Sequence, residues 1–123
     1  MKTVLFVDDE EMVVEVVKEM LKAMDYNVFV ATSGQEAIDI YAKHKDEIAL
    51  VLLDMIMPDM EGSEVYDRIK RINADVKVLL CSGYSRESEA SKVMEQGCSG
   101  FVQKPFTMEQ LSQSIRRILD KDE

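Results

Sequence analysis

Five short apolar runs rich in β-branched residues recur along the chain: Thr3–Val7, Asn27–Ala31, Ile48–Leu53, Val76–Cys81 and Gly100–Gln103. They start 24, 21, 28 and 24 residues apart, and the segments between them carry apolar residues at helical spacing. Runs this apolar, with little alternation, suit strands covered on both faces, which means a parallel sheet. Strand and helix alternating at such intervals predict an α/β chain of five strand–helix units, (βα)5.

The first predicted helix follows Asp8-Asp9 and places Val13, Val16/Val17, Met20/Leu21 and Met24 on one face. The stretch Val13-Val14-Glu15-Val16-Val17 has strand propensity, but the 3.6-residue period that continues to Met24 selects a helix. Ser33-Gly34-Gln35-Glu36 reads as a capping box opening the second helix, and Thr107-Met108-Glu109-Gln110 opens the fifth in the same way. Leu111, Ile115 and Ile118/Leu119 form the apolar stripe of that fifth helix. Gly97 is placed to end a fourth helix, Arg86 to Gln96, in a left-handed conformation. The third helix is predicted from Glu61 to Ile72, with Gly62 in its first turn.

The 123 residues fit one domain, spanning 1–123, with no linker or low-complexity stretch. The longest apolar run, Ile48 to Leu53, stops at Asp54 and falls far short of the roughly 18 residues a bilayer span needs. The N-terminus enters a strand-like segment directly, without a signal-peptide core, so the expected setting is cytoplasmic, with no membrane insertion. Fifteen basic and 24 acidic residues give a net charge of −9, which argues against direct binding to nucleic acid. The same acidity suits a protein that holds a cation or meets basic partner surfaces. Cys81 and Cys98 stand 17 residues apart without a CxxC pattern, and the chain has a single histidine. A structural zinc site would lack ligands, so both cysteines are expected to be small buried hydrophobes in a reducing compartment.

In an open parallel sheet, function gathers at the carboxyl ends of the strands. Here the first strand ends in Asp8-Asp9-Glu10, the third in Asp54, the fourth in Ser82-Gly83 and the fifth in Lys104-Pro105. Taken singly, each has a bland role. Asp8 or Asp9 could cap a helix, Asp54 could be a turn residue, Ser82 could be an N-cap, and Lys104 could be solvated. Taken together they predict a site. Asp8, Asp9 and Asp54 would carry −3 and repel one another unless a cation sat among them. Mg²⁺ binds through carboxylates, waters and phosphate oxygens, and with Lys104 it would balance that charge. Such a site could stabilise an incoming phosphoryl group.

These motifs have a family likeness. Val7-Asp8-Asp9-Glu10, the run from Leu53-Asp54-Met55-Ile56-Met57-Pro58-Asp59-Met60-Glu61 to Gly62, Ser82-Gly83, and Gly100-Phe101-Val102-Gln103-Lys104-Pro105-Phe106 stand in order at the strand ends. In them the chain resembles the receiver domain of two-component response regulators, over essentially its whole length. The resemblance implies a flavodoxin-like sheet of strand order 2-1-3-4-5 with helices on both faces. It implies that Asp54 accepts a phosphoryl group from the phosphohistidine of a histidine kinase or histidine phosphotransfer protein. Asp8, Asp9, Asp54 and the backbone carbonyl of Ile56 would hold Mg²⁺, or Mn²⁺ in its place. Lys104 would pair with the phosphoryl oxygens, and the Lys104–Pro105 bond would be cis.

Ser82 matches the switch hydroxyl and Phe101 the switch aromatic; the bland alternative for Phe101 is a core ring that never moves. Phosphorylation would then alter the face built from the fourth helix, the fifth strand and the fifth helix (Thr107–Leu119), where a downstream protein or a second copy would dock. Ile56 cannot hydrogen-bond a water and Tyr84 is large enough to cover the same approach, so the pair is expected to slow dephosphorylation. His44, near the end of the second helix, reads as a solvated residue favouring a helix C-terminus. Met55, Met57 and Met60 read as loop packing.

Two other classes compete. A Mg²⁺-dependent phosphatase of the haloacid-dehalogenase type needs a second Asp two positions after its nucleophile, where this chain has Ile56, or Glu10 if Asp8 were the nucleophile. A nucleotide or flavin binder needs a glycine-rich phosphate loop after the first strand, and neither GxGxxG nor a Walker A sequence stands there. The expected activity is therefore self-catalysed phosphoryl acceptance and slow autodephosphorylation rather than turnover of a substrate. With no output domain in these residues, the chain reads as a stand-alone regulator or a receiver from a larger protein. Cys81-Ser82-Gly83-Tyr84-Ser85 resembles receivers attached to hybrid sensor kinases.

Overall fold

Thr3–Val7 (β1), Asn27–Ala31 (β2), Ile48–Asp54 (β3), Val78–Ser82 (β4) and Gly100–Gln103 (β5) pair in one parallel sheet of order β2-β1-β3-β4-β5. This is a computed structural model, which describes residues 2–55, 59–82, 97–103 and 106–120, Ser82 by its backbone alone. The strand order is the one the resemblance implied. One row of register partners, Ala31, Val7, Leu53, Leu80 and Phe101, crosses the whole sheet. β4 starts at Val78 rather than Val76, because the Val76 amide is turned back to the Asn73 carbonyl at 3.1 Å.

The helices are α1 (Glu11–Ala23), α2 (Gly34–His44), α3 (Gly62–Ile72) and a C-terminal helix (Met108–Asp120). Alternate strand residues face opposite sides, so each strand feeds two cores. Leu5, Val7, Val51, Leu53, Val78 and Leu80 pack with Ala37 and Tyr41 of α2 and Val65, Tyr66 and Ile69 of α3. Val4, Phe6, Leu50, Leu52, Leu79 and Cys81 pack with Val14, Val17 and Leu21 of α1 and with Leu111, Ile115, Ile118 and Leu119 of the C-terminal helix. Truncating a fully buried leucine such as Leu53 to Ala should cost roughly 2–5 kcal/mol. Cys81 and Cys98 are both buried, on opposite sides of the sheet, which agrees with their reading as buried hydrophobes.

Around α1, Val13, Met20 and Met24 pack partly buried against the core as expected, and Val16 alone leaves that face. Val14, Val17 and Leu21 are buried, whereas Val16 is 55% exposed and Met12 84% exposed. The segment holds two overlapping helical stripes, and the sheet takes the one through Val14. His44 also departs from its reading as solvated: its ring stacks on Phe29 at 4.5 Å between centroids, and Nδ1 lies 3.4 Å from Glu47 Oε2.

The cap at the C-terminal helix has the expected reciprocal form. Thr107 Oγ1 accepts from the Gln110 amide at 3.1 Å, and Gln110 Oε1 accepts from the Thr107 amide at 2.8 Å. At α2 only half the box is local. Ser33 Oγ accepts from the Glu36 amide at 3.1 Å, while Glu36 Oε1 reaches one residue further back, to the Thr32 amide at 2.7 Å. Gly97 has φ +104°, as a helix-ending glycine should, and the helix predicted before it lies outside the described residues.

Candidate functional site

The register of the sheet brings the acidic residues together. Val7 and Leu53 are partners on adjacent strands, so Asp8 and Asp54, the next residues along, reach the same edge side by side. Asp54 is itself still in register with Cys81 of β4, and the Met55 amide donates to the Cys81 carbonyl at 3.2 Å. Asp8 is held from two sides. Its amide donates to the Ala31 carbonyl at 3.1 Å, and its Oδ1 accepts from the Glu10 amide at 3.0 Å, just ahead of α1. Helix α1 thus has no side-chain cap at Glu10 itself, and Asp8 supplies the oxygen that turns the chain into it.

Carboxylate oxygens of Asp8, Asp9 and Asp54 lie within 4.8 Å of one another. Asp8 is fully buried and Asp54 7% exposed, while Asp9 faces solvent. Around an octahedral ion at 2.0–2.1 Å, donors stand about 2.9 Å apart when adjacent and about 4.2 Å when opposite, so these oxygens would close in on a small hard cation. Two buried carboxylates and one exposed one, all oxygen donors, could hold a divalent metal ion and leave part of its shell to water.

Gly62 makes the turn after β3 possible. Its amide donates to the Met55 carbonyl at 2.9 Å, and a Cβ there would stand 2.8 Å from the Met55 Cα and 3.0 Å from the Asp54 carbonyl oxygen. Only a residue without a side chain lets α3 start this close to the strand that carries Asp54. Met55 is buried and Met60 half-buried, in keeping with loop packing.

The strand carrying the predicted switch aromatic lies beside β4. Ser82 is the register partner of Gln103, and Phe101 is half-buried against the core on the α2–α3 side. Ile56, Met57, Tyr84, Lys104, Pro105, the side chain of Ser82 and the predicted fourth helix lie outside the described residues. Two further features had no local sequence signal. Asp59, read only as part of a motif, binds two amides of α2, and Met12 and Val16 line an apolar groove with Glu10, Val13, Met20 and Phe106.

The family model for the response regulator receiver domain matches residues 4–116. The chain belongs to the response regulator receiver family. Among curated relatives, the sensor kinase CckA of Brucella abortus (strain 2308) is 31% identical over 121 residues, which are 98% of this chain and 13% of the kinase. The chemotaxis protein CheY of Halobacterium salinarum is 29% identical over 118 residues, 96% of this chain and 97% of CheY. The chain thus spans nearly all of a single-domain relative and a small fraction of a kinase. Among solved structures, a receiver domain protein from Clostridium thermocellum superposes with a TM-score of 0.95 at 26% identity, covering 99% of this chain and 97% of that one. A chain of the CheX-CheY-BeF3-Mg complex from Borrelia burgdorferi superposes with a TM-score of 0.90 at 25% identity, covering 95% of this chain and 88% of that one. This receiver is a signalling module of the two-component class, and nothing in these matches supports the phosphatase reading. No helix among the described residues is long and apolar enough to cross a membrane.

Proposed function

We propose that Asp54 is the phosphoacceptor of this receiver and that Asp8, Asp9, Asp54 and the Ile56 carbonyl hold the divalent cation, Mg²⁺ or Mn²⁺, that the reaction needs. The observation that carries this reading is the convergence of three carboxylates from two adjacent strands at one sheet edge. When bound, the cation neutralises charge on the carboxylates and on the phosphoryl oxygens. An Asp54 carboxylate oxygen attacks the phosphorus of a donor phosphohistidine; the new O–P bond forms as the P–N bond breaks. The electron pair of that bond returns to the imidazole nitrogen, and Asp54 is left as an acyl phosphate. Lys104 pairs with the phosphoryl oxygens. The buried setting of Asp54 and Asp8 strengthens each of these charge interactions.

The donor is a histidine kinase or histidine phosphotransfer protein, in a cytoplasmic setting. The apolar groove on α1 gives it a seat beside Glu10, within reach of the acidic edge, with Met12 and Val16 already exposed for burial. The Mg²⁺ and BeF3 in the solved Borrelia CheY complex support a metal and phosphoryl site of this kind here. Output runs through Ser82 and Phe101 to the face of the predicted fourth helix (86–96), β5 and the C-terminal helix, where a downstream protein or a second copy binds. The test is labelling by a small-molecule phosphodonor with and without Mg²⁺. Labelling should require the cation, and labelling undiminished in excess chelator would refute the reading.

A further inference from the structure

The connection from β3 to α3 is fastened at two of its described points. At its base, Gly62 is tied to Met55 by the 2.9 Å hydrogen bond next to Asp54. Further along, Asp59 grips the start of α2: Oδ1 accepts from the Gly34 amide at 2.8 Å and Oδ2 from the Gln35 amide at 3.0 Å. With Ser33 Oγ on the Glu36 amide, each of the first three helical amides of α2 has a side-chain acceptor. Two of those acceptors come from a residue 25 and 24 positions away. Met60 presses on the same spot, and a Cβ on Gly34 would collide with its Cγ and Sδ. Gly34 therefore opens α2 because the loop sits on it.

The contact is charge-assisted. A carboxylate at a helix N-terminus faces backbone N–H dipoles, which favour its ionised form. Those two amides hold the Asp59 carboxyl below the usual carboxylate range although it is exposed to water. A purely local cap, such as Ser33, would stabilise α2 and do nothing else. Asp59 differs because its backbone belongs to the loop that leaves Asp54.

We infer that Asp59 is a positioning residue for the acidic site, latching the loop after Asp54 to the N-terminus of α2 so that the loop is held for a divalent cation. The inference rests on the metal reading above. Coupling of this kind is reciprocal: if the latch favours the cation, the cation must favour the latch.

The test is a calorimetric titration of Mg²⁺ into the full chain and into Asp59→Ala, Asp59→Asn and Ser33→Ala. Asp59→Ala should bind Mg²⁺ about fivefold more weakly or worse, the lower end of ordinary coupling between linked sites. Asp59→Asn, which keeps an acceptor oxygen without the charge, should fall between Asp59→Ala and the unaltered chain. Ser33→Ala removes a cap from the same helix end without touching the loop and should leave the affinity unchanged. In the unaltered chain, the Gly34 and Gln35 amide resonances should move when Mg²⁺ is added. Unchanged affinity in Asp59→Ala, or an equal loss in Ser33→Ala, overturns the latch and leaves the metal site standing. An unaltered chain that binds no Mg²⁺ overturns the metal reading, and the latch with it.

Discussion

Asp8 Oδ1 accepts a hydrogen bond from the Glu10 amide at 3.0 Å, so one buried carboxylate serves the acidic edge and the entry to α1 at once. The two duties separate by substitution. Asp8→Asn keeps an acceptor and loses the charge; it should fold with nearly unchanged stability and bind Mg²⁺ at least about 10-fold more weakly, as loss of metal-site groups commonly does. Asp8→Ala should show the same loss and also give up about 1 kcal/mol of stability, the usual worth of a helix-start acceptor. Denaturant unfolding and Mg²⁺ calorimetry on the two variants read these effects independently.

Ser82 pairs with Gln103, two residues past Phe101 on β5, so a movement at the end of β4 reaches that edge first. A phosphoryl group can shift the switch only through its differential contacts with the two states. Ser82→Ala should accept phosphoryl groups yet fail to gain partner binding or self-association on phosphorylation. NMR shifts confined to the loops around Asp8 and Asp54 would remove the case for this output face.

The acyl phosphate should be long-lived. Hydrolysis needs a water in line with the phosphorus, and Ile56 offers it no hydrogen bond while Tyr84 can cover its approach. Decay measured for the phosphorylated chain beside Ile56→Asn and Tyr84→Ala should be faster in either variant. Unchanged or slower decay in both refutes shielding.

Burial pushes the Cys98 thiol up from its ordinary range, and Sγ donates to the Val78 carbonyl at 3.0 Å. The sign follows from linkage. A folded-state value raised above the unfolded one gives stability that is complete below the unfolded pKa and lost as pH rises through the folded one. Stability should thus be insensitive to this thiol at neutral pH and decline once the pH rises past the ordinary thiol pKa of about 8.5. Neither Cys98 nor Cys81 should react with an alkylating reagent until the chain is denatured. Native-state alkylation of Cys98, or a Cys81–Cys98 disulfide under mild oxidation, would contradict the packing.

The order of the five strands and of the four described helices was legible because near-continuous apolar runs and 3.6-residue stripes are hard to confuse. The acidic edge was legible because Asp8 and Asp54 each end an apolar run, and parallel register then sets them level. What escaped lies in tertiary choice. Met12, Val13, Val14, Val16 and Val17 allow two stripes, and only the sheet selects Val14 over Val16. His44 looks solvated until Phe29 of β2 arrives beneath it. Asp59 caps a helix 24 and 25 residues earlier in the chain, a partnership that no local motif encodes.

The central claim is that Asp54 takes the phosphoryl group. Intact-protein mass after incubation with a small-molecule phosphodonor and Mg²⁺ tests it most directly, on the unaltered chain beside Asp54→Asn. The account predicts a mass gain of one phosphoryl group in the unaltered chain and none in Asp54→Asn. Phosphorylation of Asp54→Asn at the unaltered rate would contradict it.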